Sequence, residues 1–586
     1  MGFKWLAAAV LLCVAFPLVF PDIASYIISD ISKNPEVPNI PYYVFRTMLR
    51  MLVAYVFVVL FALPYGIISG MYQKPANVMI PVIDVLQSVP VLAFMPAAFL
   101  FFVNNFPGQL GLEMASILLI FTGMAWAVTI GVYGAVKNIP NEIKQFAHAY
   151  ELTRWRYIHS VILPAIFPAF VTHSMLAWGG GWYFLIATEY MTFGSVTHKL
   201  PGIGYFLANS VYNLGSIPSA MLGLVILVAL VYSINRFIWQ ALIDHSEKYK
   251  YEVESFVSRK STQTLIMRIY KRFFKPEKEF LFSLFDKIDH VLYHLIYRRH
   301  RDYAFYAVAK NKAGRRYNPQ IHTIGSRYSA FYKLLGTVIA MSIVIAVIIF
   351  LLGNAPEPIM QTLRKYPEAY NLPIYSLMSL TRISIAFMIA LLWTGAVGFL
   401  IGRNKKLQEK FMPVFDIGQS IPALALFPFI VVFLIDIFGA TRLSLEFASI
   451  LLIMTGAQWY LLFNIVHAVK SIPTEISEAS ISFKYSGLRY VKNVLLPAIF
   501  PGIVVGSIQA FGGAWNASIV SEYIIYGGRE YTVPGLGYFL DKAAWKFGDT
   551  TLIILTLIVM VATILIVNRL FWRKMFKLSE KYKLEY

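Results

Sequence analysis

Cysteine occurs once in 586 residues, at Cys13, and charged side chains make up only 14% of the chain. A lone thiol excludes a disulfide scaffold, and no Cys/His spacing suits a metal ion. So little charge excludes a disordered chain and leaves too few polar side chains to coat a soluble core of this size. Also missing are a Gly-x4-Gly-Lys-Ser/Thr phosphate loop and a nucleophile–base motif, and no charge lies near the middle of an apolar run. The first absence removes ATP binding by that route. The second leaves nothing to carry covalent catalysis. The third removes the buried ionisable groups on which proton- and ion-coupled carriers depend.

What is present is apolar. The chain is 58% hydrophobic, with 45 Phe, 36 Tyr and 11 Trp, and its mean hydropathy is +0.62. Charge-free apolar stretches run over 5–21, 51–72, 85–103, 114–136, 165–188 and 214–235, then over 334–356, 383–402, 417–435, 447–469, 498–521 and 551–568. Each is close to the roughly 20 residues that span a bilayer as a helix. The expected fold class is an all-α integral membrane protein of about 12 transmembrane helices. Lys4 ahead of 5–21 and Pro21 behind it mimic a secretory signal. A matching span opens the second half, where no signal could work, so 5–21 is expected to be a retained helix.

The net charge of +20, from 51 basic and 31 acidic residues, would suit nucleic acid if it were gathered on one domain. Instead much of it lies in 254–330, including Arg298-Arg299-His300-Arg301, and in short loops such as Arg403-Asn404-Lys405-Lys406. Counted from a cytoplasmic N-terminus, the basic loops at Lys74, 137–164, 243–330, 403–410 and 470–497 share one side. The positive-inside rule makes that side and both termini cytoplasmic, in a cell membrane crossed many times. No nucleic-acid partner is expected.

An internal repeat dominates the rest. Asp84-x-x-Gln87-Ser88-Val89-Pro90 returns as Asp416-x-x-Gln419-Ser420-Ile421-Pro422, and Arg50 as Arg382, an offset of 332. From Glu113 and Glu446 onward the offset is 333, carrying Trp182 to Trp515 and Glu189 to Glu522. The chain therefore divides into a first repeat, 1–253, a basic cytoplasmic insertion, 254–332, and a second repeat, 333–586. Six spans per repeat give both the same orientation. They are then two parallel repeats related by a pseudo-two-fold along the membrane normal, with a pathway between them.

With no energy source in the chain, the cytoplasmic loops after the fourth span of each repeat are the candidates for contact with a driving subunit. Loop 137–164 contains Ile139-Pro140-Asn141-Glu142, Gln145-Phe146-Ala147, Tyr150-Glu151 and Leu163-Pro164. Loop 470–497 contains Ile472-Pro473-Thr474-Glu475, Glu478-Ala479-Ser480, Phe483-Lys484-Tyr485 and Leu496-Pro497. Prolines bracket short helical pieces with aromatics among charges, suited to pressing an apolar knob into a cleft. Both loops resemble the Glu-Ala-Ala coupling motif of type I ABC importer permeases. Glu478-Ala479-Ser480 and Gln145-Phe146-Ala147 each stand at the motif's nineteen-residue distance before Leu-Pro. Two departures touch the turn: Glu151 and Lys484 occupy the motif's glycine position, and Gln145 stands for its Glu.

The resemblance narrows toward the nitrate/sulfonate/taurine/bicarbonate branch. Its cues are Gln87-Ser88-x-Pro90 and Gln419-Ser420-x-Pro422, with Trp182…Glu189-Tyr190 before Pro201-Gly202-Ile203-Gly204 and Trp515…Glu522-Tyr523 before Pro534-Gly535-Leu536-Gly537. It implies a fused permease subunit, not itself an enzyme, for a small solute delivered by an extracytoplasmic binding protein. Two ABC ATPase subunits would bind ATP and Mg and drive it; the chain itself would hold no cofactor or metal. It implies ATPase coupling for Glu142, Gln145, Ala147, Tyr150, Glu151, Glu475, Glu478, Ala479, Phe483 and Lys484. Gln87, Ser88, Gln419 and Ser420 either line the pathway or bond between helices. Trp182 and Trp515 are pathway candidates too, although the glycines of Trp178-Gly179-Gly180-Gly181-Trp182 allow close helix approach and favour packing over ligand stacking. A carboxylate repels an anion, so Glu189 and Glu522 are expected to shape an outer gate or loop. Arg50 and Arg382 are expected at the outer interface, as anchors or paired with Glu113 and Glu446. The competing reading, a twelve-helix secondary carrier of the major facilitator type, wants a Gly-x3-Asp-Arg loop that Ser69–Lys74 and Ile401–Lys406 do not supply.

Overall fold

The computed structural model describes residues 21–249 and 359–582, apart from 89, 150–153, 194–195, 421–422, 440, 486 and 527–528. The expected spans 5–21 (save Pro21) and 334–356, and the insertion 254–332, lie outside the described residues.

Among the described residues the helices recur between the two repeats, and nine of each set carry the fold. In the first, α1 is Pro21–Lys33, α2 Ile40–Met71, α3 Gln73–Ser88, α4 Met95–Asn105, α5 Gln109–Lys137, α6 Asn141–Ala149, α7 Leu163–Glu189, α8 Ile203–Tyr212 and α9 Ile217–Ile234. In the second, α10 is Ile359–Lys365, α11 Leu372–Arg403, α12 Lys405–Ser420, α13 Ala423–Phe438, α14 Arg442–Lys470, α15 Thr474–Ser482, α16 Leu496–Ser521, α17 Leu536–Asp541 and α18 Thr550–Val567. The ends follow local chemistry. Proline stands in the first turn of α2, α7, α9, α11 and α16, where its missing N–H is not needed. Ser216 caps α9 by accepting the Ser219 amide at 3.1 Å. Asp549 caps α18 by accepting the Thr551 and Leu552 amides at 3.0 and 3.1 Å, and Thr441 and Ser444 form a capping box on α14.

Among the described residues eight helices are long and apolar enough to cross a membrane, with a shorter apolar stretch at Phe429–Phe438. The third span of each repeat departs from expectation. Residues 85–103 do not form one helix: α3 stops at Ser88, Val91–Ala93 make a 3-10 turn, and α4 begins at Met95. Pro90, in extended conformation at ψ 128°, has no N–H to give a continuing helix. In the second repeat α12 and α13 meet across 421–422 in the same place. A π-turn at Ile158–Ile162 and another at Val491–Leu495 precede Leu163-Pro164 and Leu496-Pro497.

Two small hairpins qualify the all-α expectation. Antiparallel β1 (Tyr190–Phe193) and β2 (Val196–Lys199) follow α7, and β3 (Tyr523–Tyr526) and β4 (Arg529–Thr532) follow α16. Both runs are rich in Tyr, Thr, Val and Ile, which favour a pleated surface.

Within each repeat the central helix, α5 or α14, packs against α2 and α7, or against α11 and α16. Contacts between repeats are reciprocal. Helix α7 lies on α12 and α13, and α16 lies on the Val91–Ala93 turn; α9 meets α12, and α18 meets α3. The broken third span of each repeat thus reaches across to the fifth span of the other, which sets α7 and α16 beside the seam.

Candidate functional site

Three places carry polar chemistry: a clamp in each repeat, the turns that bear the Glu-Ala-Ala-like motif, and the seam.

The clamp is built the same way twice. Arg50, from the second turn-and-a-half of α2, is 2% exposed. Its Nε and Nη2 donate to Glu113 at 2.6 and 2.7 Å, its Nη1 donates to Glu189 Oε1 at 2.7 Å, and Nη2 also reaches the Pro201 carbonyl at 2.8 Å. Thr47, one turn earlier, donates to Glu189 Oε1 at 2.7 Å and accepts the Ile203 amide at 3.0 Å. The Gly204 amide donates to the other Glu189 oxygen at 2.7 Å. In the second repeat Arg382 binds Glu446 through Nε, reaches Glu446 Oε1 from Nη2 at 3.1 Å, Glu522 at 2.7 Å and the Pro534 carbonyl at 2.6 Å. Ser379 takes the place of Thr47, at 2.6 Å from Glu522 and 2.9 Å from the Leu536 amide. The Gly537 amide donates to Glu522 Oε2 at 2.7 Å.

Each arginine and its inner glutamate are thus buried, but paired and hydrogen-bonded on nearly every polar atom, the condition under which buried charge is tolerated. Of the two expectations for Arg50 and Arg382, pairing with Glu113 and Glu446 is the one the structure shows; both guanidiniums are enclosed, not free anchors, and they hold Glu189 and Glu522 as well. Gly202 and Gly535 have extended backbones, so conformation does not demand glycine there. Space does. A Cβ on Gly202 would lie 2.2 Å from Glu189 Cδ, and one on Gly535 would lie 2.2 Å from Glu522 Oε2. The main-chain carbonyls of Glu189 and Glu522 close the hairpin ends by accepting the Leu200 and Val533 amides at 3.1 and 3.0 Å, while their carboxylates hold the Gly204 and Gly537 amides just beyond.

Beyond the clamp, outside the membrane-spanning part, Glu36 accepts from Tyr43, from Asn39 at 3.2 Å and from Tyr205 at 3.2 Å. The Tyr43 hydroxyl above all, helped by Asn39, Tyr205 and the Lys199 charge, holds the Glu36 carboxyl below its ordinary range against the opposing effect of burial. Its counterpart Glu368 binds Tyr375 at 3.1 Å and forms an ion pair with Lys542. Burial works against the Lys542 charge, yet its bonds to Glu368 and Tyr538 raise its pKa above the ordinary lysine value.

On the motif-bearing turns, α6 exposes Glu142 and Gln145 and buries Ala147, while Tyr150 and Glu151 lie outside the described residues. In the second repeat Glu475, Glu478 and Ala479 are exposed on α15 and Ser480 is buried. The α15 end is a Schellman turn: the Phe483 amide donates to the Ala479 carbonyl and the Tyr485 amide to the Ser480 carbonyl, each at 2.9 Å. Lys484 sits in the left-handed position of that turn at φ 52°, the one non-glycine residue with positive φ among those described. The turn geometry therefore survives the loss of the motif's glycine. It holds Phe483 out, 76% exposed.

At the seam, Gln87 is exposed and Gln419 half-buried; both stand on the last turn before the break, as do Ser88 and Ser420. Trp182 and Trp515 are completely enclosed, so neither borders open space in this conformation. Polar residues that the repeat comparison did not single out do so instead. Asn464 Nδ2 donates to Gln509 Oε1 at 3.0 Å on the exposed side of α14 and α16. Their counterparts are Gly131 and Leu176. Because the pair has no copy in the first repeat, a search for shared residues passes over it. Among the described residues no cluster of three or more His, Cys, Asp or Glu could hold a metal.

The family described as "Binding-protein-dependent transport system inner membrane component" matches residues 62–248 and 394–577. The chain is 28% identical over 202 residues to the nitrate import permease protein NrtB of Synechocystis sp., covering 33% of this chain and 68% of that protein. It is 30% identical over 168 residues to the bicarbonate transport system permease protein CmpB of Synechococcus elongatus, covering 29% of this chain and 56% of the relative. It is 27% identical over 170 residues to the taurine transport system permease protein TauC of Escherichia coli, covering 29% and 59%.

Proposed function

The chain belongs to the family of binding-protein-dependent transport system inner membrane components, matched once in each repeat, and from that premise we propose that it forms, by itself, the complete pathway of an ATP-driven importer for a small oxyanion or sulfonate. The solute is of the nitrate, bicarbonate or taurine kind that the relatives' names record. An extracytoplasmic binding protein delivers it to the outer face, where Glu189 and Glu522 fasten the hairpins. Two cytoplasmic ATPase subunits, which hold ATP and Mg, dock on the two turns. Both termini lie on that cytoplasmic side.

The observation that carries this reading is Phe483. An aromatic side chain that stands 76% exposed on a turn locked by backbone bonds costs solvation unless a partner covers it. Glu475, Glu478 and Lys484 are exposed on the same helix and turn and supply the polar surroundings of a docking knob, with Ala479 a small exposed step beside it. In the first repeat Glu142, Gln145, Tyr150 and Glu151 have the same part, and Ala147 is buried as packing. Gln87, Ser88, Gln419 and Ser420 stand where the third spans break, at the seam, and belong to the pathway; Trp182 and Trp515 support it from behind as packing.

The test is reconstitution. The chain should co-purify with a nucleotide-binding ATPase, and uptake in proteoliposomes should require ATP inside and binding protein outside. Glu478→Lys should weaken ATPase capture and slow uptake by about tenfold, the effect of one interfacial charge reversal. Uptake driven by a proton gradient with no ATPase present would overturn the proposal and restore the secondary-carrier reading.

A further inference from the structure

Helix α16 is apolar nearly all round, yet one stripe of it is open. Val505, Gln509 and Gly512 are exposed, while Val504, Ser507, Ala510, Phe511, Ala514 and Trp515 are buried. Asn516 continues the stripe one turn further out. Gln509 lies midway along the helix, thirteen residues from Leu496 and twelve from Ser521. A carboxamide turned toward hydrocarbon would lose its hydrogen bonds with water for nothing in return, so an exposed amide at this depth faces an aqueous space.

Its bonding points the same way. Asn464 Nδ2 donates to the Gln509 oxygen at 3.0 Å and to the Tyr460 carbonyl at 2.8 Å, which fixes both amides and leaves the Gln509 Nε2 as the donor group of the pair. A Cβ on Gly512 would meet nothing within 4 Å, so room exists on the same face of the helix. Helix α7 carries the equivalent stripe with Leu176 (51% exposed) and open space at Gly179 and Gly180. Since α7 packs on α12 and α13 and α16 packs on the Val91–Ala93 turn, both helices lie beside the seam between repeats.

We infer that the pathway is one-sided: the second repeat supplies a midplane donor for a small oxyanion, the Gln509 Nε2 group held in place by Asn464, while the first repeat presents Leu176 and its neighbouring glycines at the equivalent place. This rests on the importer reading above and names the wall that selects the solute. The chemistry suits a monoanion with several oxygen acceptors. An amide donor replaces part of such an ion's hydration, and with no fixed cation beside it the ion can leave again.

The experiment has two arms. In the first, the native thiol is removed (Cys13→Ser) and Gln509→Cys, Leu176→Cys and Leu392→Cys are made singly in the full chain. A charged, membrane-impermeant thiosulfonate is then applied to membranes open at both faces. Leu392 is 70% exposed on α11 and serves as the lipid-facing control. Residues 509 and 176 should label about tenfold or more faster than 392, following the cost of bringing a charged reagent into lipid. Equal, slow labelling of all three overturns the inference. This arm needs no ATPase, so it stands even if the importer reading fails.

In the second arm, nitrate, bicarbonate and taurine uptake are compared in the complete transporter, with rates normalised to assembled complex. Whichever solute the unaltered protein accumulates should be lost about ten- to a hundredfold in Gln509→Glu, the worth of a hydrogen bond to a charged group turned into a repulsion. Gln509→Asn should retain most of it, and Leu176→Gln should alter the ratio among the three solutes. Unchanged uptake by Gln509→Glu overturns the inference while leaving the importer reading in place. No ATP-dependent uptake by the unaltered protein overturns the importer reading instead.

Discussion

The two repeats are most alike where they are fastened and least alike where they meet other molecules. The clamp is reproduced atom for atom in kind: arginine, two glutamates, one hydroxyl, one proline carbonyl and one glycine amide. Around it the halves diverge. Glu113 has a second cation in Arg46 from α2, whereas Glu446 has Arg442 from its own helix at 4.0 Å. Glu36 is held by uncharged donors and Glu368 by Lys542. The seam has an amide wall on one side and leucine and glycine on the other. Duplication has been kept under strict geometric constraint at the clamp, because a buried charge missing one partner is expensive, and relaxed where water or a partner can substitute.

The largest effect expected from breaking this likeness is at the arginines. Arg50→Ala and Arg382→Ala each strand a buried glutamate and should destabilise by about 3–5 kcal/mol, read as loss of monodisperse protein and a fall in the midpoint of thermal unfolding. The second should be the worse, because Glu113 keeps Arg46 in hydrogen-bond contact while Glu446 keeps only the exposed Arg442. Similar losses in both would show that the outer cation does not matter.

Next come the glycines. Gly202→Ala and Gly535→Ala drive a Cβ into the Glu189 and Glu522 carboxylates and should each cost about 1–3 kcal/mol. Near-equal shifts in unfolding midpoint are expected, since the approach is the same in both repeats. A large inequality would mean that the clamps differ in rigidity.

At the Lys484 turn the change should stabilise. Lys484→Gly relieves a left-handed non-glycine residue and should contribute about 1 kcal/mol locally, seen as slower hydrogen exchange at the Phe483 and Tyr485 amides. No change there would mean that Lys484 is held by contacts beyond its own turn.

The smallest effect concerns pH. Glu36 titrates below its ordinary value in the folded protein, so it contributes stability above its unfolded pKa and loses it as pH falls through the folded one. Between about pH 6 and about pH 3, Glu36→Gln should flatten part of the acid-side fall in unfolding midpoint. Parallel curves for the two proteins would remove Glu36 from the account.

Much of this was legible without coordinates. Low charge, apolar runs and their spacing determine a membrane-spanning helical protein, and the 332–333 offset determines that it is built twice. The motif around Glu478 marked the turn that carries Phe483. Other features had no sequence signal to find. Arg50 precedes a charge-free run and so resembled an interfacial anchor, because pairing with Glu189 across 139 residues depends on how α7 returns to α2. The broken third span was written in Pro90, but apolar residues continue on both sides of it and hide the break.

Gln509 is the sharpest case. In a helix apolar nearly all round, periodicity cannot tell a lipid face from a packed face or a wet one. Sequence alone therefore determined the solvent in which this protein folds, its repeat and its motif-bearing turns, since these follow from composition and local chemistry. Only the tertiary structure decided which buried charges neutralise one another and which stripe of α16 is left uncovered by protein, because both depend on distances between segments far apart in the chain.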